Sequence, residues 1–186
     1  AVLEDRNVKD ALYHFQMPVP ISASRIHEGI KYLTYSKNSK PGIDILLRSS
    51  KFTHVSDTTI CVVEVKDSYE EKERPSRAIK QAIAYATFIG RLLRTNKEEA
   101  NKSIWYSFFR GNFKKHMSPG YISKLNKPLI IKAIIAMPFE DNNEDLSFVG
   151  EIISFNPNNK EVQIELGCMN LITDDNNNVI KIIHKY

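Results

Sequence analysis

The strongest structural signal in the sequence is ICVVEVKDSYEEKERPSRAIKQAIAYATFIGRLLR, residues 60–94. The strand predicted at its start, Thr59 to Lys66, begins one residue before this stretch and is rich in β-branched residues. Pro75 stands where a helix can begin, because proline fits the first helical turn. From Ser76 to Arg94 apolar residues recur every three or four positions, which predicts a helix with one buried stripe. The stripe consists of Ile79, Ala82, Ile83, Ala86, Ile89 and Leu93.

The residues before this unit predict one helix and two strands. Residues 3–15 suit a first helix, which the prolines in Met17 to Ser24 end. The run from Gly29 to Ser36 and the run from Ile43 to Arg48 predict two strands, because both are rich in β-branched, aromatic or other apolar residues. The sequence Lys-Asn-Ser-Lys-Pro-Gly, residues 37–42, predicts the turn between them.

The residues after the helix predict more strands and one long loop. Ile104 to Phe109 suits a strand, Gly111 to Lys127 a loop, and the continuous apolar run Leu129 to Met137 a buried central strand. Beyond Pro138, turns rich in Asn and Asp separate three further strands, which predicts an antiparallel β-meander. These strands are Leu146 to Phe155, Glu161 to Ile172 and Val179 to His184. We therefore expect an α/β core over residues 1–138 and a C-terminal meander over 139–186, packed on the same domain.

Length and composition exclude several classes of protein. The chain has 186 residues, of which 42% are hydrophobic and 26% charged, so it suits one globular domain and not a disordered or fibrous chain. The apolar run Leu129 to Met137 contains Lys132 and is far too short to span a membrane. The N-terminus lacks the features of a secretory signal. Cys61 and Cys168 lie in apolar, strand-like runs, which favours two buried free thiols in a reducing compartment. We expect a cytoplasmic location and no membrane partner.

Positive charge is concentrated in the middle of the sequence. Residues 67–132 carry 14 basic and 6 acidic side chains, whereas residues 133–186 carry 3 and 9. Between Glu99 and Glu140 there is no acidic residue. Such a stretch predicts a polyanionic partner. The candidates for contact with nucleic acid are Arg77 on the helix, Arg110 directly before the long loop, and Lys114 and Lys115 within it. The alternative is that these basic residues of the loop are only solvated.

Polar residues occupy unusual positions in two of the predicted strands. Asp44 lies inside an apolar strand, where a carboxylate is costly unless it is paired or bound to a metal. Glu64 and Lys66 share one face of the next strand, and the returning chain can bring Asp44 beside Glu64. Two carboxylates and an ammonium suit Mg²⁺-assisted phosphodiester hydrolysis. The alternative is a strand-end Asp44 and a solvated ion pair of Glu64 with Lys66, worth at most about 1 kcal/mol.

Three motifs then resemble those of a known group of enzymes. Pro41-Gly42-Ile43-Asp44, Glu64-Val65-Lys66 and the helical Gln81-Ala82-Ile83-Ala84-Tyr85 occur in the order found in the PD-(D/E)xK, or restriction-endonuclease-like, nuclease superfamily. The last motif is similar to the Gln-x-x-x-Tyr of one large branch. The resemblance covers about residues 1–137. It implies an α/β fold with a restriction-endonuclease-like core, in which helices flank a mixed central β-sheet.

The resemblance also implies a function and a set of site residues. The expected function is a metal-dependent endonuclease that hydrolyses DNA, of restriction, repair or defence type. Asp44 and Glu64 would hold Mg²⁺ or Mn²⁺, and Lys66, Gln81 and Tyr85 would complete the catalytic site. Members often carry another acidic residue on the first helix, for which the candidates are Glu4, Asp10 and Glu28.

Several alternatives stay open at the level of sequence. A nuclease-like fold can lose catalysis and serve only to bind nucleic acid or protein. The sequence does not separate DNA from RNA, or endonuclease from exonuclease activity. A homodimer and a subunit of a larger assembly are both compatible with it.

Overall fold

The computed structural model describes residues 11–18, 42–49, 60–66, 74–94, 98, 128–138, 146–174 and 179–185. In this part of the chain, seven strands form one sheet and one long helix packs against it. The elements are β1 (Ala11–Pro18), β2 (Gly42–Ser49), β3 (Ile60–Val65), α1 (Pro75–Arg94), β4 (Leu129–Met137), β5 (Ile152–Phe155), β6 (Val162–Thr173) and β7 (Val179–Lys185). A 3₁₀ turn at Pro157–Asn159 precedes β6.

The sheet is mixed, with its parallel strands at the centre. β1, β2 and β3 pair antiparallel in chain order. β4 then lies parallel to β3 on one side and to β6 on the other. β5 and β7 both pair antiparallel with β6. The α/β character and mixed sheet expected from the sequence are therefore confirmed, and β4 has the central position that its apolar run predicted.

Most predicted elements between residues 43 and 185 are found close to their expected bounds. Pro75 is the first residue of α1, as its position predicted. The strands expected at 43–48, 59–66, 129–137, 161–172 and 179–184 are confirmed as β2, β3, β4, β6 and β7. The predicted strand 29–36, strand 104–109 and loop 111–127 lie outside the described residues, as do residues 37–41 of the predicted turn 37–42. Gly42, its last residue, is the first residue of β2.

Two of the predicted elements, one helix and one strand, are wrong over part of their length. The helix expected over residues 3–15 is contradicted from Ala11 onwards, because residues 11–18 form β1, which pairs with β2 and is the outermost strand of the sheet among the described residues. Tyr13, Phe15 and Met17 alternate with a period of two, which is a strand pattern, and Pro18 is tolerated at the end of an edge strand. The first half of the strand expected over residues 146–155 is also wrong. Gly150 has φ +85°, and residues 146–150 form turns before β5 begins.

The C-terminal strands extend the same sheet as the earlier ones. β5 and β7 each pair antiparallel with β6, as expected of a meander, but β4 occupies one side of β6, so β5 and β7 lie on its other side and do not flank it. β6 also pairs with β4 along nine residues, from Leu129 opposite Val162 to Met137 opposite Asn170. This pairing places the carboxyl ends of β3, β4 and β6 at one edge of the sheet, because the three strands are parallel.

The predicted stripe of α1 is the face that packs on the sheet. Ile79, Ala82, Ala86, Ile89 and Leu93 are buried, and Ile83 is partly buried against them. They contact the apolar side chains of β3, β4 and β6. On the opposite face of the sheet, a second buried cluster contains Ile45, Val63, Ile134, Ala136, Met169 and Leu171. Burial on both faces accounts for the continuous apolar sequence of β4. No helix in the described ranges has the length and apolar character needed to cross a membrane.

Gly90 sets the distance between α1 and the sheet. A Cβ atom added to Gly90 would lie 2.8 Å from Cγ1 of Val162 and 3.0 Å from Cζ of Phe155. Alanine would gain up to about 1 kcal/mol in helix propensity, but overpacking a filled core typically costs about 1–3 kcal/mol. We therefore expect Gly90→Ala to lower the free energy of unfolding by about 1–2 kcal/mol in urea denaturation.

Arg91→Ala is the control for this substitution, because Arg91 is exposed on the same turn of α1. We expect Arg91→Ala to change the free energy of unfolding by less than about 0.5 kcal/mol. A Gly90→Ala protein that is more stable than wild type would show that Val162 and Phe155 move aside at little cost.

Candidate active site

The motif residues meet where β2 and β3 separate, beneath the N-terminal half of α1. The last β2–β3 pair in this direction is Ile45 opposite Val63. Beyond this pair, the amide N–H of Val65 on β3 donates a hydrogen bond of 2.8 Å to Oδ2 of Asp44 on β2. The carboxylate of Asp44 thus takes the place of a backbone carbonyl at the point where the ladder ends. Asp44 therefore supports the local backbone as well as carrying a negative charge.

Glu64 is buried at the same end of β3. Its relative exposure is 2%, and its Oε1 accepts a hydrogen bond of 2.9 Å from Nζ of Lys66. Within the described part of the chain, its Oε2 is also buried and has no hydrogen-bond partner. The alternative of a solvated ion pair between Glu64 and Lys66 is therefore wrong for the carboxylate. Leaving a buried carboxylate oxygen without a partner is costly, so this atom needs an explanation.

The surroundings of Glu64 favour its protonated form. Burial and, next, the negative charge of Asp44 raise the pKa of Glu64 from 4.5 to about 7, and a side-chain hydrogen bond with Asp44, which needs a protonated carboxyl group, acts in the same direction. The hydrogen bond and positive charge of Lys66 act in the opposite direction. A carboxyl group whose pKa lies near neutral pH, beside a second carboxylate and an ammonium, is typical of functional sites.

A chain of side-chain hydrogen bonds connects the strand end to α1. Nζ of Lys66 donates to Oε1 of Gln81 at 3.4 Å, and Nε2 of Gln81 donates to the hydroxyl of Tyr85 at 3.1 Å. Gln81 and Tyr85 lie one helical turn apart, so both face this site. Tyr85 is 3% exposed, and burial raises the pKa of its hydroxyl. The buried Tyr85 holds the amide of Gln81, and Gln81 in turn holds the ammonium of Lys66.

The donor set fits a divalent cation. Mg²⁺ prefers carboxylate and carbonyl oxygens, and it is commonly held by one or two carboxylates together with water and phosphate oxygens. Asp44 and Glu64 supply two such carboxylates, and a cation would compensate the Oε2 atom that Lys66 does not reach. Among the described residues there is no group of three or more acidic, His or Cys side chains suited to a metal. The candidates for a third acidic ligand, Glu4, Asp10 and Glu28, lie outside the described residues.

The structure describes one of the four residues predicted to contact nucleic acid. Arg77 is exposed on α1, one turn before Gln81. Arg110, Lys114 and Lys115 lie outside the described residues. The structure adds the exposed residues Arg74 and Lys80 to the surroundings of Arg77. Neither residue was among the predicted contacts, although the spacing of three residues and the absence of acidic residues from Pro75 to Arg94 are visible in the sequence.

A polar residue of the C-terminal region lies at the same edge of the sheet. Asn170 is 4% exposed and pairs with Met137 at the carboxyl ends of β6 and β4. The amide of Lys66 bonds the carbonyl of Ala136, so β3 ends beside the same part of β4. The only sequence signal for Asn170 is one amide side chain within the apolar run from Leu166 to Ile172.

Comparison of this chain with known proteins returned no similar protein. A scan against models of protein families matches none of them. Searches of curated proteins and of solved structures also return no match. The residues of this site, and the way the fold brings them together, are therefore the basis for a proposed function.

Proposed function

We propose that this protein is a metal-dependent nuclease that hydrolyses the phosphodiester bonds of DNA. The observation that carries the proposal is the buried Oε2 of Glu64, which has no partner within the described residues and lies beside Asp44 and Lys66. The mixed sheet, with α1 directly after β3 and β4 parallel to β3, supports the proposal because it brings the motif residues to one end of the sheet. The cation-rich residues 67–132 favour a polyanionic substrate.

Each site residue has a distinct role in this proposal. Asp44 and Glu64 would hold Mg²⁺ or Mn²⁺. When bound, the cation supplies charge neutralisation at the scissile phosphate and a lowered pKa for a coordinated water. The backbone bond from Val65 fixes the position of Asp44, and burial among apolar residues fixes that of Glu64.

Lys66 is the residue best placed to act on the attacking water. Its side chain is partly exposed, at 20%, whereas the side chain of its partner Glu64 is 3% exposed. From this position the ammonium orients the water that attacks phosphorus and stabilises the negative charge that develops there. Gln81 and Tyr85 are positioning residues, because their hydrogen bonds hold Lys66 and the hydroxyl of Tyr85 is buried.

The direct test is cleavage of supercoiled plasmid and of labelled single-stranded DNA with Mg²⁺ or Mn²⁺. We expect cutting that EDTA abolishes, and a rate at least about 100-fold lower in Asp44→Asn. Asparagine is the informative substitution, because its amide oxygen can still accept the N–H of Val65. The variant therefore removes the charge while keeping the bond that supports the backbone.

Two outcomes would contradict the proposal. Wild-type cutting rates in Asp44→Asn would exclude Asp44 as a metal ligand. No cutting of either substrate, together with no heat of Mg²⁺ binding in calorimetry, would favour a nuclease-like fold that only binds nucleic acid or protein. Circular dichroism of each variant checks that loss of cutting does not reflect loss of folding.

A further inference from the structure

We propose that the substrate of this site is an extended nucleic-acid strand whose phosphates lie along a cationic ridge at the N-terminal end of α1. The ridge consists of Arg74, Arg77 and Lys80. This inference rests on the proposed function, since it states which part of the substrate the protein holds beyond the bond that is cleaved. It implies a polymeric substrate with several phosphates on one side of the scissile bond.

The ridge is a continuous exposed surface. Arg74, Arg77 and Lys80 are all exposed, and they are three residues apart along the chain. Arg77 and Lys80 lie on α1, and Arg74 directly precedes it, with its carbonyl accepting from the amides of Arg77 and Ala78. Steps of three residues keep these side chains on one broad side at the helix start, over about 9 Å along the axis. The sequence from Pro75 to Arg94 contains no acidic residue, so every charged side chain of α1 is a cation.

The ridge leads directly to the candidate active site. Lys80 precedes Gln81, whose Oε1 accepts the 3.4 Å hydrogen bond from Lys66. Arg77 lies one helical turn before Gln81 and at the same end of α1. A strand with one phosphate beside Lys66 can therefore place neighbouring phosphates on the ridge. Each phosphate that a cation contacts releases counterions, so the contacts predict a definite dependence of affinity on salt.

The test is binding of fluorescein-labelled single-stranded DNA, of about 20 nucleotides, measured by fluorescence anisotropy in EDTA. The double variant Arg77→Gln/Lys80→Gln removes two charges of the ridge. We expect Kd to rise at least about tenfold, and the slope of log affinity against log salt to become shallower by about 1.4, or about 0.7 for each lost contact. With Mg²⁺, the variant should show a raised KM for the same strand.

Arg91→Gln is the matched control. Arg91 is an exposed arginine of the same helix, about 21 Å from Arg77 along the axis. We expect its Kd to stay within about twofold of wild type, with an unchanged salt slope. Circular dichroism and thermal unfolding check that both variants remain folded.

Two results would overturn the inference. The first is a double variant that binds and cleaves like wild type, which would make the ridge an ordinary solvated surface. The second is an equal loss of affinity in Arg91→Gln, which would indicate an effect of net charge only. A protein that binds DNA through the ridge but cuts nothing with any divalent cation would contradict the proposed function while supporting the ridge. The two proposals therefore fail in distinguishable ways.

Discussion

Replacement of Lys66 by methionine should lower the rate of DNA cleavage by about 100-fold to 10,000-fold. Methionine keeps much of the length and volume of the side chain but removes the ammonium, which bonds Glu64 at 2.9 Å and Gln81 at 3.4 Å. The reaction then loses the group that orients the attacking water. Initial rates on a labelled DNA strand at saturating Mg²⁺ measure the effect.

The same substitution changes the electrostatics of Glu64. The hydrogen bond and charge of Lys66 lower the pKa of this carboxyl group, so their removal raises its pKa above the wild-type value of about 7. Glu64 can then take up a proton near neutral pH, which limits the cost of leaving a buried charge unpaired. We therefore expect Lys66→Met to fold, and its metal binding to require a higher pH than that of wild type.

Lys132→Met is the matched control for Lys66→Met. Lys132 also contacts a glutamate, with Nζ 3.8 Å from Oε2 of Glu165, but it pairs with Cys61, at the opposite end of β3 from Lys66. We expect its cleavage rate to stay within about twofold of wild type, since surface ion pairs contribute little. If Lys66→Met also cleaved at the wild-type rate, Lys66 would have no part in the reaction.

The sequence predicted those parts of the fold whose signals are local. The apolar stripe of α1 and the continuous apolar run of β4 are properties of short segments, and both elements were found close to their expected bounds. β1 was mistaken for a helix although Tyr13, Phe15 and Met17 alternate with the period of a strand, and pairing with β2 stabilises this conformation. The parallel pairing of β4 with β6 joins segments that are far apart in the chain, which periodicity does not report.

The sequence predicted which residues form the candidate site, but not their burial or their hydrogen bonds. The positions of Asp44, Glu64, Lys66, Gln81 and Tyr85 followed from their spacing and from the motif resemblance. The hydrogen bond from Val65 to Asp44 was not predictable, because it depends on where β2 separates from β3. The burial of Glu64 was also not predictable, because α1 and the neighbouring strands provide it.

Glu64 should lower the stability of the folded protein at neutral and alkaline pH. Its pKa is about 7 in the folded protein and about 4.5 in the unfolded chain. Between these values the folded state binds more protons than the unfolded state, so stability falls as pH rises through this window. The cost of the buried charge is fully present above pH 7, and it amounts to about 3 kcal/mol for a shift of this size.

Glu64→Gln should therefore stabilise the protein while abolishing its activity. Glutamine is a neutral isostere whose amide oxygen can still accept the bond from Lys66. We expect the variant to be up to about 3 kcal/mol more stable than wild type at pH 8, and close to wild type at about pH 4.5. Urea denaturation across this pH range measures both differences.

Addition of Mg²⁺ tests whether Glu64 is buried as a metal ligand or for a purely structural reason. A cation present at 100 times its dissociation constant would stabilise wild type by about 2.7 kcal/mol above pH 7, and it should leave Glu64→Gln unchanged. Glu165→Gln is the control, because the side chain of Glu165 is 36% exposed and its substitution should change stability by less than about 1 kcal/mol.

The stability of Glu64→Gln, its response to Mg²⁺ and its cleavage rate together test whether the destabilising charge of Glu64 serves the function of the protein. A variant that gains stability, loses the effect of Mg²⁺ and loses cleavage would show that Glu64 is retained for its function. A variant that gains stability but still binds Mg²⁺ and cleaves DNA would remove Glu64 from the metal site. A variant with no gain at pH 8 would show that Oε2 of Glu64 is already compensated without a cation, and the observation that carries the proposed function would then fall.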